Sequence, residues 1–173
     1  RGLVEADFVI ATDGLYRLGP NAFGLGSALL EARRRLQSSD LVREGMRRLA
    51  DASGETVLFA VCDAGADTMT YIDVIESRNA VRFAVAVGDR RPLYATAGGR
   101  VLLAAMSEAD LQAYLQRLQP KPLTSSTETD KARLAALIAE VRESGVAQTI
   151  DQSSEGVAGT AAAIRDAAGV VIG

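Results

Sequence analysis

The chain contains no histidine, no tryptophan and only one cysteine, Cys62. Without histidine there is no Ser-His-Asp or Cys-His arrangement and none of the usual zinc ligand sets. The commonest general base near neutral pH is absent as well. A lone cysteine excludes an internal disulfide and suits a reducing cytoplasm. Aromatics are only 5% of the 173 residues, so any core is built mainly from Ala, Val and Leu. There is no basic excess either: the formal net charge is −3, so no global field draws nucleic acid. No run approaches the ~20 apolar residues a membrane span needs, and Arg1-Gly2-Leu3 is no signal peptide. The phosphate-cradling GxxxxGK[ST] loop is missing, and Gly24-Leu25-Gly26 lacks a third glycine at dinucleotide spacing. No motif for a metal, cofactor or catalytic carboxylate pair takes their place.

What is present suffices for one domain of ordinary size with a small appendage, since 48% of residues are hydrophobic. The most informative stretch runs from Gly88 to Ala105. Before it, Val81, Phe83, Val85 and Val87 alternate with Arg82, Ala84 and Ala86, which predicts a strand over 81–87. Gly88 to Pro92 reads as a turn. Thr96 is placed to cap the helix that follows, and Gly98 and Gly99 admit a close approach to its first turn. Free amides at a helix start, above a floor of small residues, suit a carboxylate or carbonyl. The same geometry also serves plain helix–sheet packing.

The rest divides readably. Leu3 to Ala11 and Leu15 to Leu18 predict a hairpin turning at Thr12-Asp13-Gly14. Pro20 opens a helix that Ser38-Ser39-Asp40 divides from a second one, striped by Leu41, Val42, Gly45, Met46 and Leu49. Strands are expected at Val57–Cys62 and Met69–Ile75, with Cys62 a small buried hydrophobe. Ser107 caps a helix carrying Leu111, Tyr114, Leu115 and Leu118. Another carries Leu134, Leu137, Ile138 and Val141 and stops at Gly145. Closing strands are expected at Val146–Gln152, Val157–Ile164 and Val170–Ile172. The pattern predicts an α+β fold, an antiparallel sheet with helices packed on it.

Several segments in order, Tyr16-Arg17-Leu18-Gly19, Gly54-Glu55-Thr56-Val57, Pro92 to Arg100 and Gly145 to Asp166, resemble the IclR family of bacterial transcription regulators. The resemblance implies a GAF-like effector-binding domain over residues 39–173, a linker helix over 20–38, and in 1–19 the wing remnant of a winged helix-turn-helix. By that reading both ends are cut from a longer polypeptide. Operator DNA would be reached only through the missing N-terminal domain. The family usually shows His where Tyr94 stands and Lys where Arg100 stands. Members that bind small oxo-acids carry acidic residues where Thr149 and Ile150 lie, and a cysteine where Gly159 lies. These departures imply a roomier, more apolar pocket for an aromatic or longer-chain organic acid. Its lining would be Phe83, Val85, Thr96, Ala97, Gly98, Thr149, Gly159 and Ala161, with no metal, no cofactor and no catalytic residue.

Two other readings stay open on the residues alone: a dimerisation module with a vestigial pocket, and an enzyme of the same fold relying on Asp or Glu. The resemblance further implies a cytoplasmic homodimer or tetramer without membrane contact. The segment from Asn21 to Ser38 carries Phe23, Leu25, Leu29, Leu30 and Leu36, more apolar surface than a lone helix shows to water. It is therefore expected to pair with its copy in a second chain. Light scattering at micromolar concentration should return at least a dimer, and a clean monomer would sink that expectation.

Overall fold

A computed structural model describes residues 2–12, 14–63, 65 and 67–173, and of residues 25–39 the backbone alone. The chain forms two compact units, Arg1–Arg48 and Leu49–Gly173. It is α+β, as expected, and among the described residues every strand pairs antiparallel.

In the first unit a short helix α1 (Gly2–Glu5) precedes a hairpin of β1 (Val9–Thr12) and β2 (Leu15–Leu18). The strand expected from Leu3 is thus helical in its first half. The chain reverses after α1 because Phe8 N donates to the Leu3 carbonyl at 2.9 Å. Helix α2 (Pro20–Ser53) follows, its start tied to the preceding turn by Asn21 Nδ2 donating to Ala6 O at 2.9 Å. It is one continuous helix, so the break expected at Ser38-Ser39-Asp40 does not occur. Those residues disfavour a helix only weakly, and neither proline nor a positive-φ glycine interrupts them. Of the stripe expected along its second half, Met46 is buried while Leu41 and Leu49 are mostly exposed. The side chains of Leu25, Leu29, Leu30 and Leu36 lie outside the described residues.

The second unit begins with β3 (Val57–Cys62), β4 (Thr68–Ile75) and β5 (Arg90–Pro92), a three-stranded sheet in that order. The β3–β4 turn is fastened by Asp63, whose carboxylate accepts from Thr68 Oγ1 at 2.6 Å, Thr70 Oγ1 at 2.7 Å and Arg90 Nη2 at 2.8 Å. The two threonine hydroxyls are the larger cause, with Arg90 adding to them, that hold this carboxyl down at about 2. Cys62 is exposed rather than buried, because it closes β3 at the rim of the sheet.

Residues 81–87 do not form the expected strand. Their alternation is real, with Phe83 and Val85 half-buried and Val81 and Val87 exposed, but no neighbouring strand offers them a ladder. Pairing begins only at the turn, where Gly88 N donates to Tyr71 O at 2.8 Å and Tyr71 N to Asp89 O at 3.0 Å.

Three helices follow: α3 (Ala97–Ala104), α4 (Glu108–Arg117) and α5 (Lys131–Ser144). Each starts as its sequence dictates, with Thr96, Ser107 and Asp130 accepting from the amide three residues on. Gly145 closes α5 at φ 75°, where a side chain would be strained. A last hairpin joins β6 (Val146–Ile150) to β7 (Ala158–Ala162). The final strand is reduced to a single bridge, Arg165 to Val171. The sheet expected from Val57 onward is accordingly two separate ladders among the described residues, β3-β4-β5 and β6-β7.

Helix α3 lies between two clusters. Leu102 and Leu103 enter the main core with Met69, Leu93, Tyr114, Leu134 and Ile138. Ala97 and Val101 enter a smaller one with Val141 and Ala147. Arg142 clasps the α3–α4 corner, donating to Ala104 O and Met106 O at 3.0 Å each and meeting Glu108 at 2.6 Å. The position of α3 depends on Gly99, where a Cβ would fall 2.2 Å from Leu93 O and 2.5 Å from Leu93 Cα. Backbone cannot yield there as a side chain can. Gly99→Ala should lower stability by about 3 kcal/mol or more. Gly98→Ala meets only the flexible Met69 thioether, at 3.3 Å, and should stay within about 1 kcal/mol of wild type. Denaturant midpoints of the two variants check the contrast.

Candidate functional site

Six of the eight residues expected to line a pocket come together where the start of α3 meets the β6–β7 hairpin. Thr96 and Ala97 are buried there and Gly98 is half-buried. The Thr96 hydroxyl accepts from Gly99 N at 3.0 Å, and the Thr96 carbonyl takes the Arg100 amide at 3.0 Å. Helix geometry leaves the Ala97 and Gly98 amides outside the intrahelical ladder. They form the positive end of α3.

The hairpin brings the other three by register. Thr149 pairs with Gly159 and Ala147 with Ala161, so all four alternate on the face toward α3. A Cβ placed on Gly159 would lie 3.4 Å from Thr149 Oγ1 and 3.6 Å from Ala97 Cβ. Gly159, Thr149 and Ala97 are therefore mutual neighbours, though far apart in sequence. Ala161 packs on the smaller cluster beside Ala97. Met69 closes the other flank, its sulfur 3.8 Å from Thr96 Oγ1.

Phe83 and Val85 are placed differently. Val85 packs against the main core, whose Met69 in turn reaches Thr96 and Gly98. The Phe83 carbonyl accepts from Thr56 Oγ1 at 3.4 Å, which ties its segment toward β3.

A groove of about 410 Å³ opens on another flank of α3, between α5 and β6, and none of the eight residues lines it. Its walls are Arg100, Leu137, Glu140, Val141, Ser144, Val146, Ala147 and Gln148. Arg100 is only 2% exposed, and its Nε donates to Tyr94 O at 3.1 Å while Nη2 donates to Gln152 Oε1. Burial pushes its pKa down, and Glu128 partly offsets this. The sequence marked Arg100 only as standing where the family usually shows lysine and did not place it at a site. The available signal was a cation directly ahead of Val101-Leu102-Leu103, a run too apolar to face water.

Gln152 belongs to a further set of ties. Thr127 Oγ1 donates to Gln152 O at 2.7 Å and Thr124 Oγ1 donates to Asp151 O, so the loop between α4 and α5 is fixed to the end of β6. Tyr94 holds the same loop, its hydroxyl donating to Lys121 O at 2.8 Å. Among the described residues no group of His, Cys, Asp and Glu could hold a metal ion. No described helix is long and apolar enough to cross a membrane.

Comparison with known proteins places this arrangement in context. Residues 34–173 match the family described as bacterial transcriptional regulator IclR C-terminal. The chain is 38% identical over 155 residues to the HTH-type transcriptional regulator TtgV of Pseudomonas putida, covering 90% of this chain and 55% of TtgV. It is 33% identical over 160 residues to the HTH-type transcriptional regulator KdgR of Escherichia coli, covering 91% of this chain and 58% of KdgR. The chain thus spans little more than half the length of these relatives. Among solved structures, the IclR of Thermotoga maritima has a TM-score of 0.73 at 27% identity, covering 99% of this chain and 68% of that one. An IclR homologue from Microbacterium hydrocarbonoxydans, solved with 4-hydroxybenzoate, has a TM-score of 0.69 at 26% identity, covering 99% of this chain and 69% of that one.

The packing separates two substitutions that look alike in sequence. A methyl at Gly159 meets ordinary van der Waals distances, so Gly159→Ala should leave the apo melting temperature within about 2 °C of wild type. Ala97 is 5% exposed between Val101, Val141 and Ala147, so Ala97→Leu should cost about 1–3 kcal/mol. Thermal melts of both variants test this.

Proposed function

The chain belongs to the IclR family of bacterial transcriptional regulators, and from that premise we propose that residues 39–173 are a ligand-sensing effector domain. Its ligand is a small organic acid of aromatic or fairly apolar character. The acid lies at the start of α3, with Thr96, Ala97, Gly98, Thr149, Gly159 and Ala161 around it and Phe83 and Val85 on the far side. Occupancy shifts how paired DNA-binding domains are held, and so changes operator binding. Residues 1–19 act as the wing remnant, 20–38 as a linker helix and 39–173 as the effector-binding domain of a cytoplasmic homodimer or tetramer. The exposed Phe23, Leu41 and Leu49 on α2 favour such association.

The observation that carries the proposal is the convergence of the α3 amide end with Thr149 and Gly159. A carboxylate fits the Ala97 and Gly98 amides at the start of the helix. The neighbouring surface of alanine, glycine and the Met69 thioether fits an apolar body. None of the eight side chains can ionise, so the helix end is the group among them that favours an anion. The relative solved with 4-hydroxybenzoate supports an aromatic acid.

The test is a melting screen over aromatic and aliphatic carboxylic acids. At a ligand concentration of 100 Kd, the expected stabilisation is about 2.7 kcal/mol. Gly159→Leu should fold but lose that shift, because its side chain occupies the ligand's space. Normal binding by Gly159→Leu would move the site elsewhere.

A further inference from the structure

We propose that the groove beside Arg100 is a second binding site, taking the carboxylate of a small monocarboxylic acid. It lies outside the residues assigned to the effector above and does not rest on that reading. Three observations carry it.

The first is an incomplete set of partners. Arg100 presents five N–H donors, of which Nε and one on Nη2 are used by Tyr94 O and Gln152 Oε1. Among the described residues no acceptor meets Nη1, and no carboxylate lies within ion-pair distance of the guanidinium. An arginine only 2% exposed with no carboxylate at ion-pair distance is costly, Glu128 offsets that cost only in part, and an arriving anion relieves more of it.

The second is access: the 410 Å³ groove reaches Arg100 itself. Nη1 and the remaining Nη2 hydrogen can donate to a carboxylate, a planar acceptor that suits the guanidinium. The two existing bonds hold the fork in place, so little ordering remains to be done on binding.

The third is the character of the walls. Leu137, Val141, Val146 and Ala147 offer an apolar surface to the body of the acid. One cation balances one negative charge. Glu140 also lines the groove, paired only weakly with Arg133 at 3.7 Å, and both side chains are mostly exposed. A doubly charged phosphate would leave a charge uncompensated beside that carboxylate. The chemistry therefore selects a monocarboxylate over a phosphate.

The experiment is a titration of the isotope-labelled protein with sodium benzoate at fixed ionic strength, read on the backbone amides of Ser144, Val146 and Gln148. It is run in the wild-type and Gly159→Leu backgrounds, so failure of the effector site leaves this result readable. Saturable shifts are expected in both. Arg100→Gln should abolish them, and Arg100→Lys should weaken binding about tenfold, retaining the charge without the fork. Glu140→Gln should tighten binding about threefold by removing a like charge from the wall. That variant is exposed and keeps the test intact where Arg100→Gln fails to fold. No saturable shift at these amides, inorganic phosphate binding as tightly as benzoate, or indifference to Glu140→Gln would each overturn the proposal.

Discussion

The second unit depends on one close approach, the backbone of α3 lying on that of Leu93 at Gly99. A Cβ there would sit 2.2 Å from the Leu93 carbonyl oxygen, so this contact exists only because the residue is glycine. Its consequence is geometric. With α3 seated on Leu93, Leu102 and Leu103 drop into the main core and Ala97 and Val101 turn to the β6–β7 hairpin. Thr96 fixes the entry angle by capping the helix, and Arg142 fixes the exit by taking the Ala104 and Met106 carbonyls. Both ends of an eight-residue helix are thereby specified by side chains outside it. A helix this short has little stability of its own and takes its position from such contacts.

The parts of the fold legible in the sequence are those decided by one residue's local chemistry. Thr96 and Ser107 as caps and Gly145 as a left-handed stop are each a single side chain, or its absence, acting on neighbouring backbone. The illegible parts depend on distant partners. The Val81–Val87 alternation correctly marks two unlike faces, yet a strand also needs a neighbour offering backbone groups, and alternation carries no information about that. The Ser38-Ser39-Asp40 cluster has the residues of a cap, but a cap acts only where the helix has another reason to stop. Cys62 has the chemistry of a core residue and the position of a rim residue, and position is set by where β3 ends.

The candidate site divides along the same line. Thr96, Ala97 and Gly98 are adjacent in sequence, so their grouping was readable from a cap followed by small residues. Thr149 and Gly159 meet them only through the β6–β7 register; the family resemblance named these two residues, and spacing alone did not. Arg100 is the converse case. Its identity was plain, but its burial and its bonds to Tyr94 and Gln152 are visible only in three dimensions.

Packing against the hairpin is unusually thin in side-chain atoms. Ala97, Ala147, Gly159 and Ala161 together bring few methylene groups, whereas the main core is filled by Leu93, Leu103, Tyr114, Leu134 and Ile138. A buried leucine contributes about 1.5–3 kcal/mol, and an alanine contact only a fraction of that. The hairpin is consequently held on α3 by small increments, while α3 is held on the main core by large ones. A ligand seated at the proposed site would add apolar contact where the side chains contribute little of their own. The same few kilocalories per mole would therefore be a larger share of the stability of this junction than of the main core. The interior is held by large increments and the hairpin by small ones, and that asymmetry follows from which side of one short helix carries leucine and which carries alanine and glycine.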